Sequence, residues 1–291
     1  MSTSRGPSVR QRRLAAELRR LRERKGFTGE EVAERLTWST AKVSRIENAR
    51  TGAKISDVRR LLDLYEIDGA RYEDLVSLAH DAAEGGWWEE YRDLPSPLAD
   101  FIALEAEAGT IRQWECLSVP GLLQTETYAQ QVIEGYHAIS TMPPQEIRRR
   151  VDVRMRRQRI LHRTQPTELR LVLDEAVLTR RVGNSQVMHE QLDYMLSASE
   201  LPNVTLQLLP LDAAHAVMAE SFTLLEFPAA HEVTFPDIVH TESITISHFV
   251  DESVTYMYRL AHNSLVKHAL SPVETRQRIT EARNSWWRVD R

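Results

Sequence analysis

The sequence predicts an α-helical N-terminal domain followed by a mixed α+β domain with a modest sheet, an α plus α/β chain overall. Three observations predict it. The chain has 291 residues, and at roughly 100–200 residues per domain that length suits two folding units. Apolar residues recur with helical spacing near the start, whereas helix-like and strand-like segments alternate further on. The charge is also polarised. Residues 1–60 hold 16 Lys+Arg against 7 Asp+Glu, a net +9, and the remainder holds 21 against 35, a net −14. A basic module joined to an acidic body points to a polyanion for the first part and not for the second. With 42% hydrophobic and 27% charged residues, the composition excludes a low-complexity or wholly disordered chain.

Leu14, Leu18 and Leu21 form one helical stripe over residues 9–25, with Arg12, Arg13, Arg19, Arg20, Arg22, Arg24 and Lys25 over much of the remaining surface. Gly26 follows, where a left-handed helix end is expected. Thr28 is placed to cap a second helix, and Glu31 three residues on completes a capping box. Val32, Ala33 and Leu36 give that helix its buried side. Thr37-Trp38 leads to Ser39, a second N-cap candidate, and Val43 and Ile46 mark the inner face of the third helix. Ile55, Val58, Leu61, Leu62 and Tyr65 describe a fourth helix; Tyr72, Leu75, Val76 and Ala79 describe a fifth. Two short helices joined so tightly must cross steeply, and Ala33 is small where they meet. That is the helix-turn-helix pattern.

Gly85-Gly86, Pro95 and Pro97 interrupt the helical spacing, which places a boundary near residues 80–86 and domains at 1–82 and 83–291. Beyond it, Ile111–Cys116, Leu169–Leu173, Val204–Leu209, Ser221–Phe227 and Ile238–Thr241 read as strands. Glu126–Gly135, Pro144–Arg163, Val254–Ala269 and Pro272–Trp287 read as helices.

Thr28-Gly29-Glu30-Glu31-Val32-Ala33 with Ser44-Arg45-Ile46-Glu47-Asn48 resembles the lambda-repressor-like, XRE-type DNA-binding family over about residues 8–80. The resemblance implies a five-helix DNA-binding domain whose third helix enters the major groove by its N-terminal part. Carried over by position, Thr40, Ala41, Lys42 and Arg45 are candidates to meet base edges, with Ser44 beside them and Ser39 at the helix start. Arg45 suits a bidentate contact to guanine, or alternatively an ion pair with the nearby acidic helix. Thr28, Asn48, Arg50 and Lys54 suit phosphates, which position a duplex without reading it. Two residues depart from the family. Gly29 stands where relatives often carry glutamine, so one DNA contact is expected to be missing. Thr37 stands where the turn usually has a left-handed glycine, and such a threonine costs roughly 1–2 kcal/mol; a reshaped turn is expected.

A second resemblance covers the body. Trp87-Trp88-Glu89-Glu90-Tyr91, Leu104-Glu105-Ala106-Glu107-Ala108, Val119-Pro120-Gly121-Leu122-Leu123-Gln124-Thr125 and Ser221-Phe222-Thr223-Leu224 are similar to the WhiJ-like regulators of actinomycetes. It implies a developmental or antibiotic-related transcription regulator, with a small acidic companion protein as a partner. The expected function is a sequence-specific DNA-binding regulator whose C-terminal domain dimerises, binds that small partner or senses a ligand. A homodimer is expected because one module contacts a half-site. The alternative is a toxin–antitoxin-like interaction module that sequesters a small acidic partner, with DNA binding secondary.

Enzymatic readings fare poorly. No nucleophile elbow, dinucleotide loop or P-loop motif occurs. His189-Glu190 lacks a second histidine because Asp193 takes its place, and His231-Glu232 runs on to Phe235. Asp174 and Glu175 sit past a strand as an acid/base candidate, or as carboxylates at a helix start. The arginines of residues 147–163 read as a second polyanion site or as partners of the acidic body. The Trp87-Trp88 and Trp286-Trp287 pairs read as core or interface anchors. No run of residues reaches the ~18–20 apolar positions of a membrane span. One cysteine, Cys116, agrees with a reducing compartment, and no secretory or transit peptide is evident. The expectation is a cytoplasmic, non-enzymatic protein with neither cofactor nor metal and with double-stranded DNA as its partner.

Overall fold

A computed structural model describes residues 7–91, 94–214, 219–231, 233–243, 247–250 and 252–286. Glu232 and Trp287, both singled out in the sequence, lie outside these. The chain divides into two compact units, Met1–Glu107 with Phe227–Phe235, and Ala108–Glu226 with Pro236–Arg291.

The first unit is helical: α1 (Val9–Arg24), α2 (Gly29–Leu36), α3 (Thr40–Glu47), α4 (Ile55–Leu64), α5 (Gly69–Ala83) and α6 (Ser96–Glu107). Ser8 and Gln11 form a capping box on α1, and Thr28 and Glu31 form the expected one on α2. The Ser39 side chain accepts from the Lys42 N–H to start α3. Pro97 lies in the first turn of α6, where a missing N–H leaves no helical bond unmade, so it begins a helix rather than prolonging the interruption.

The ends of α1, α2, α3 and α4 share one device. At the end of α1 the Phe27 N–H donates to Arg22 O and the Gly26 N–H to Glu23 O; after α2, Trp38 donates to Ala33 O and Thr37 to Glu34 O. The α3 end repeats it with Arg50 to Arg45 O and Ala49 to Ile46 O, and the α4 end with Ile67 to Leu62 O and Glu66 to Asp63 O. Each is a Schellman pair around a left-handed residue: Gly26 at φ 73°, Thr37 at 57°, Ala49 at 52° and Glu66 at 53°. The turn after α2 is therefore kept rather than reshaped, with Thr37 carrying the strain.

Leu14, Leu18, Val32, Leu61, Leu62, Tyr65 and Leu75 fill the core of this unit. Val233, only 5% exposed, joins them from the distant segment 227–235. Around it, Arg13 donates to Pro228 O at 2.9 Å and Arg71 donates to His231 O at 2.5 Å.

The second unit is built on a sheet of order β3-β2-β1-β4-β5-β6. Its strands are β1 (Thr110–Glu115), β2 (Glu168–Asp174), β3 (Val204–Leu209), β4 (Phe222–Glu226), β5 (Ile238–Glu242) and β6 (Ser247–Val250). The first three are mutually parallel and the last three pair antiparallel. Parallel neighbours need long crossovers. These are α7 (Glu126–Gly135) with α8 (Pro144–Arg157), then α9 (Ala176–Thr179) with α10 (Ser185–Ala198). The chain ends in α11 (Glu252–His268) and α12 (Pro272–Trp286). Trp114, Val172, Phe222, Leu224 and Val239 of the sheet pack with Leu265 of α11.

The expected strands are present with small shifts in their bounds, and the helix read to Arg163 stops at Arg157 and tightens into a 3-10 turn over Gln158–Leu161. The sequence reading missed α10 for a physical reason. Its buried face includes Gln191, fully enclosed, whose amide donates to Leu123 O at 2.6 Å and accepts from Thr125 N–H at 2.8 Å. A glutamine satisfied by a neighbouring turn hides the apolar period.

Candidate nucleic-acid interface

Val43 and Ile46, 3% and 4% exposed, hold α3 against the core from behind. With a 3.6-residue period this turns Thr40, Ala41, Ser44 and Arg45 outward, and all four are exposed. The side chains of Arg45, Arg50 and Lys54 are exposed and have no hydrogen-bond or ion-pair partner among the described residues. Arg45 therefore does not make the ion pair weighed for it.

Lys42 is placed differently. Its Nζ lies 2.7 Å from Asp57 Oδ1 and 3.8 Å from the centre of the Trp38 ring. Arg60 approaches the same ring at 5.2 Å while donating to Leu36 O at 2.7 Å. Stacking of cations on an indole face is favourable, so Trp38 links the turn to α3 and α4. The sequence reading passed over Trp38, which stands before the start of α3 and so has no helical spacing to tie it to Lys42.

Thr28, Gly29, Thr40, Ser44 and Asn48 come together with Arg19 around a cleft of about 490 Å³. Thr28 and Ser39 are each engaged as N-caps, accepting from the Glu31 and Lys42 N–H groups at 3.2 Å. The starts of α2 and α3 leave further N–H groups free, which favours anions. The Asn48 amide donates to Ser44 O at 2.7 Å and lies along the last turn of α3. A Cβ on Gly29 would stand 4.0 Å from Val43 Cγ1, so position 29 faces α3 and its missing side chain widens the cleft. Arg19, exposed and paired with Glu23 at 2.9 Å, was read only as part of a basic helix.

Behind α3, Arg22 and Glu47 form a two-bond ion pair, Nε to Oε1 at 2.8 Å and Nη2 to Oε2 at 2.9 Å. These hydrogen bonds outweigh burial and hold Arg22 above its usual range. The pair fixes the angle of α3 to α1.

Most residues of the remaining constellations have partners within the fold. Asp174 accepts the Ala176 N–H at 2.8 Å, and Glu175 accepts the Leu211 N–H and pairs with Arg278. Among the described residues no group of three or more His, Cys, Asp or Glu is arranged to hold a metal ion, and no helix is long and apolar enough to cross a membrane. On α8, Arg150 pairs with Glu146 at 2.5 Å and Arg154 donates to Gln124 Oε1 at 2.7 Å. Beyond the helix, Arg163 donates to Ala108 O and Thr167 Oγ1. Trp88 is buried, and the Trp286 indole donates to Leu178 O at 2.8 Å.

The family described as "Domain of unknown function (DUF5753)" matches residues 98–281, and the one described as "Helix-turn-helix domain" matches residues 13–75. No curated protein and no solved structure matches the chain.

Proposed function

The chain belongs to the DUF5753 family and carries a helix-turn-helix domain ahead of that region, and from this premise we propose that it is a sequence-specific transcriptional regulator. Residues 1–82 bind operator DNA in the manner of XRE-type regulators, and residues 83–291 serve as a WhiJ-like regulatory body that dimerises and receives a partner or ligand. It acts in the cytoplasm, on the nucleoid. The observation that carries this reading is the outer face of α3. Arg45 stands there exposed beside Thr40, Ala41 and Ser44, and it, Arg50 and Lys54 have no side-chain partner among the described residues. An arginine in a major groove can discriminate guanine by about 1–3 kcal/mol, and the flanking cations supply attraction to phosphates whatever the sequence. Thr28 and Asn48 serve as phosphate contacts in this reading. Lys42 reaches the duplex only by giving up Asp57, so it contributes less than Arg45 to base reading.

Footprinting of the protein on the DNA upstream of its own gene tests the proposal. The expected result is a protected stretch containing two related half-sites, abolished by substituting Arg45 together with Thr40. Absence of protection and of gel retardation over that region, with folded protein, overturns it.

A further inference from the structure

Lys42 and Arg45 stand three residues apart on α3, a spacing that makes side chains neighbours on a helix surface, yet the fold treats them differently. Arg45 is exposed and has no hydrogen-bond or ion-pair partner among the described residues. Lys42 turns toward α4. Its ammonium lies 2.7 Å from Asp57 Oδ1 and 3.8 Å from the centre of the Trp38 ring, and the paired side chains of Lys42 and Asp57 are 32% and 13% exposed. Asp57 sits in the first turn of α4, where the helix end favours a carboxylate whether or not Lys42 meets it. Arg60, one turn further along α4, covers the same indole and is tied to Leu36 O at 2.7 Å. Lys42 is thus held by a carboxylate and an aromatic face that both lie outside its own helix.

A loose lysine on a DNA-reading helix discriminates poorly. Its ammonium is a point charge on a flexible stem, whereas the planar guanidinium fork of an arginine matches one base edge. Such a lysine meets phosphates of any sequence, and contacts of that kind raise binding to all DNA. Paired with Asp57, Lys42 brings no net charge to the duplex. We propose that Asp57 is a positioning residue for specificity, which keeps Lys42 off the DNA so that Arg45 reads alone from that side of α3. This rests on the DNA-reading function proposed above and deepens it. Specificity is a difference of affinities, and suppressing random binding widens it. The suppression acts most on random DNA, where the protein samples many orientations and a free ammonium finds a phosphate in most of them. On an operator, Arg45 and its neighbours fix one orientation and leave that ammonium a single place to reach.

The test measures the slope of log K against log salt on a random duplex for the full-length chain. Three forms are compared, each confirmed folded by its thermal melt: the parent, Asp57→Asn, and Asp57→Asn with Lys42→Met. The parent carries a neutral pair and the double variant two neutral side chains, so their slopes are expected to coincide. Asp57→Asn alone releases Lys42. It is expected to steepen the slope by about 1 and to bind random DNA roughly five- to tenfold more tightly at about 0.1 M salt. Adding Lys42→Met is expected to reverse both effects, which a merely structural aspartate would not produce. On the footprinted operator the gain from Asp57→Asn is expected to be smaller, so the operator-to-random ratio falls. A parent slope already steeper than that of the double variant by about 1 means that Lys42 leaves Asp57 for DNA, and it overturns the proposal. An Asp57→Asn protein with the parent's slope, or with the parent's operator-to-random ratio, overturns it as well. The expected slopes on random DNA without any footprint sink the sequence-specific regulator and leave Lys42 withheld by Asp57. A parent that binds no duplex at all sinks both.

Discussion

Arg22 and Glu47 face each other across α1 and α3 with two parallel hydrogen bonds of 2.8 and 2.9 Å, and their side chains are only 13% and 8% exposed. The guanidinium also donates to Phe27 O at 2.7 Å. Removing one partner leaves a charge nearly buried, which in fully buried pairs costs several kcal/mol. Glu47→Ala is expected to lower stability by about 2–3 kcal/mol, slightly less than that limit because water reaches the rim. Urea unfolding measures it, and Arg22→Met with Glu47→Leu should recover part of the loss. A Glu47→Ala protein as stable as the parent would show that the pair does not anchor α3.

Arg45 and Lys54 should separate by the kind of affinity each supplies. Arg45→Ala is expected to lose about 1–3 kcal/mol on operator DNA and little on random DNA. Lys54→Ala should weaken both equally and reduce the slope of log K against log salt by about 1. Titrations at several salt concentrations distinguish them, and equal losses on both duplexes for Arg45→Ala would remove its base-reading role.

The left-handed Thr37, at φ 57° and ψ 44°, predicts a gain. A β-branched residue there costs roughly 1–2 kcal/mol, and glycine gives back part of the relief as chain entropy. Thr37→Gly is expected to raise stability by about 0.5–1 kcal/mol. A lower melting temperature would mean that the threonine side chain contributes more than its strain removes.

Val233 predicts an effect at a distance in sequence. Its side chain is buried in the core of the first unit, so Val233→Ala should destabilise that unit by about 1–2 kcal/mol. Hydrogen exchange of amides in α1 and α5 reads this out. Unchanged protection there would contradict the assignment of residues 227–235 to that core.

Two buried histidines set an acid limit. Burial holds His262 and His240 down at about 4, helped in each case by nearby arginines, Arg112 and Arg170 for the first and Arg157 for the second. Unfolded histidine titrates near 6.5. The unfolded chain therefore binds more protons between these values, and the stability contribution is complete above about pH 6.5 and lost as pH falls toward 4. The loss is on the order of 3 kcal/mol per histidine at the low end. His262→Gln, whose amide can still donate to Arg170 O, should flatten the decline between pH 6.5 and 4. An unaltered pH profile would mean that His262 is not a source of it.

The helix-turn-helix was legible because its signals are local. The Thr28–Glu31 capping box, the Ser39 cap, Gly26 and the inward pair Val43 and Ile46 depend on neighbours within one or two turns, and the structure places each as expected. The strands of the body were legible as apolar runs, but their order was not. Nothing near β1 in the chain encodes that it lies between β2 and β4. Lys42 was read as free for DNA because its partners, Asp57 and Trp38, act through space.

By itself the sequence determined the helical spacing, the caps, an outward set of Thr40, Ala41, Lys42, Ser44 and Arg45 from which the fold withdraws only Lys42, and the division into a basic and an acidic part. These follow from backbone periodicity and from charges counted along the chain. Only the tertiary structure decided that Val233 completes a core begun more than two hundred residues earlier, that Arg22 and Glu47 hold α3, and that Lys42 is engaged while Arg45 meets no partner among the described residues. Such outcomes depend on which side chains meet across long loops, and burial makes those meetings energetically decisive.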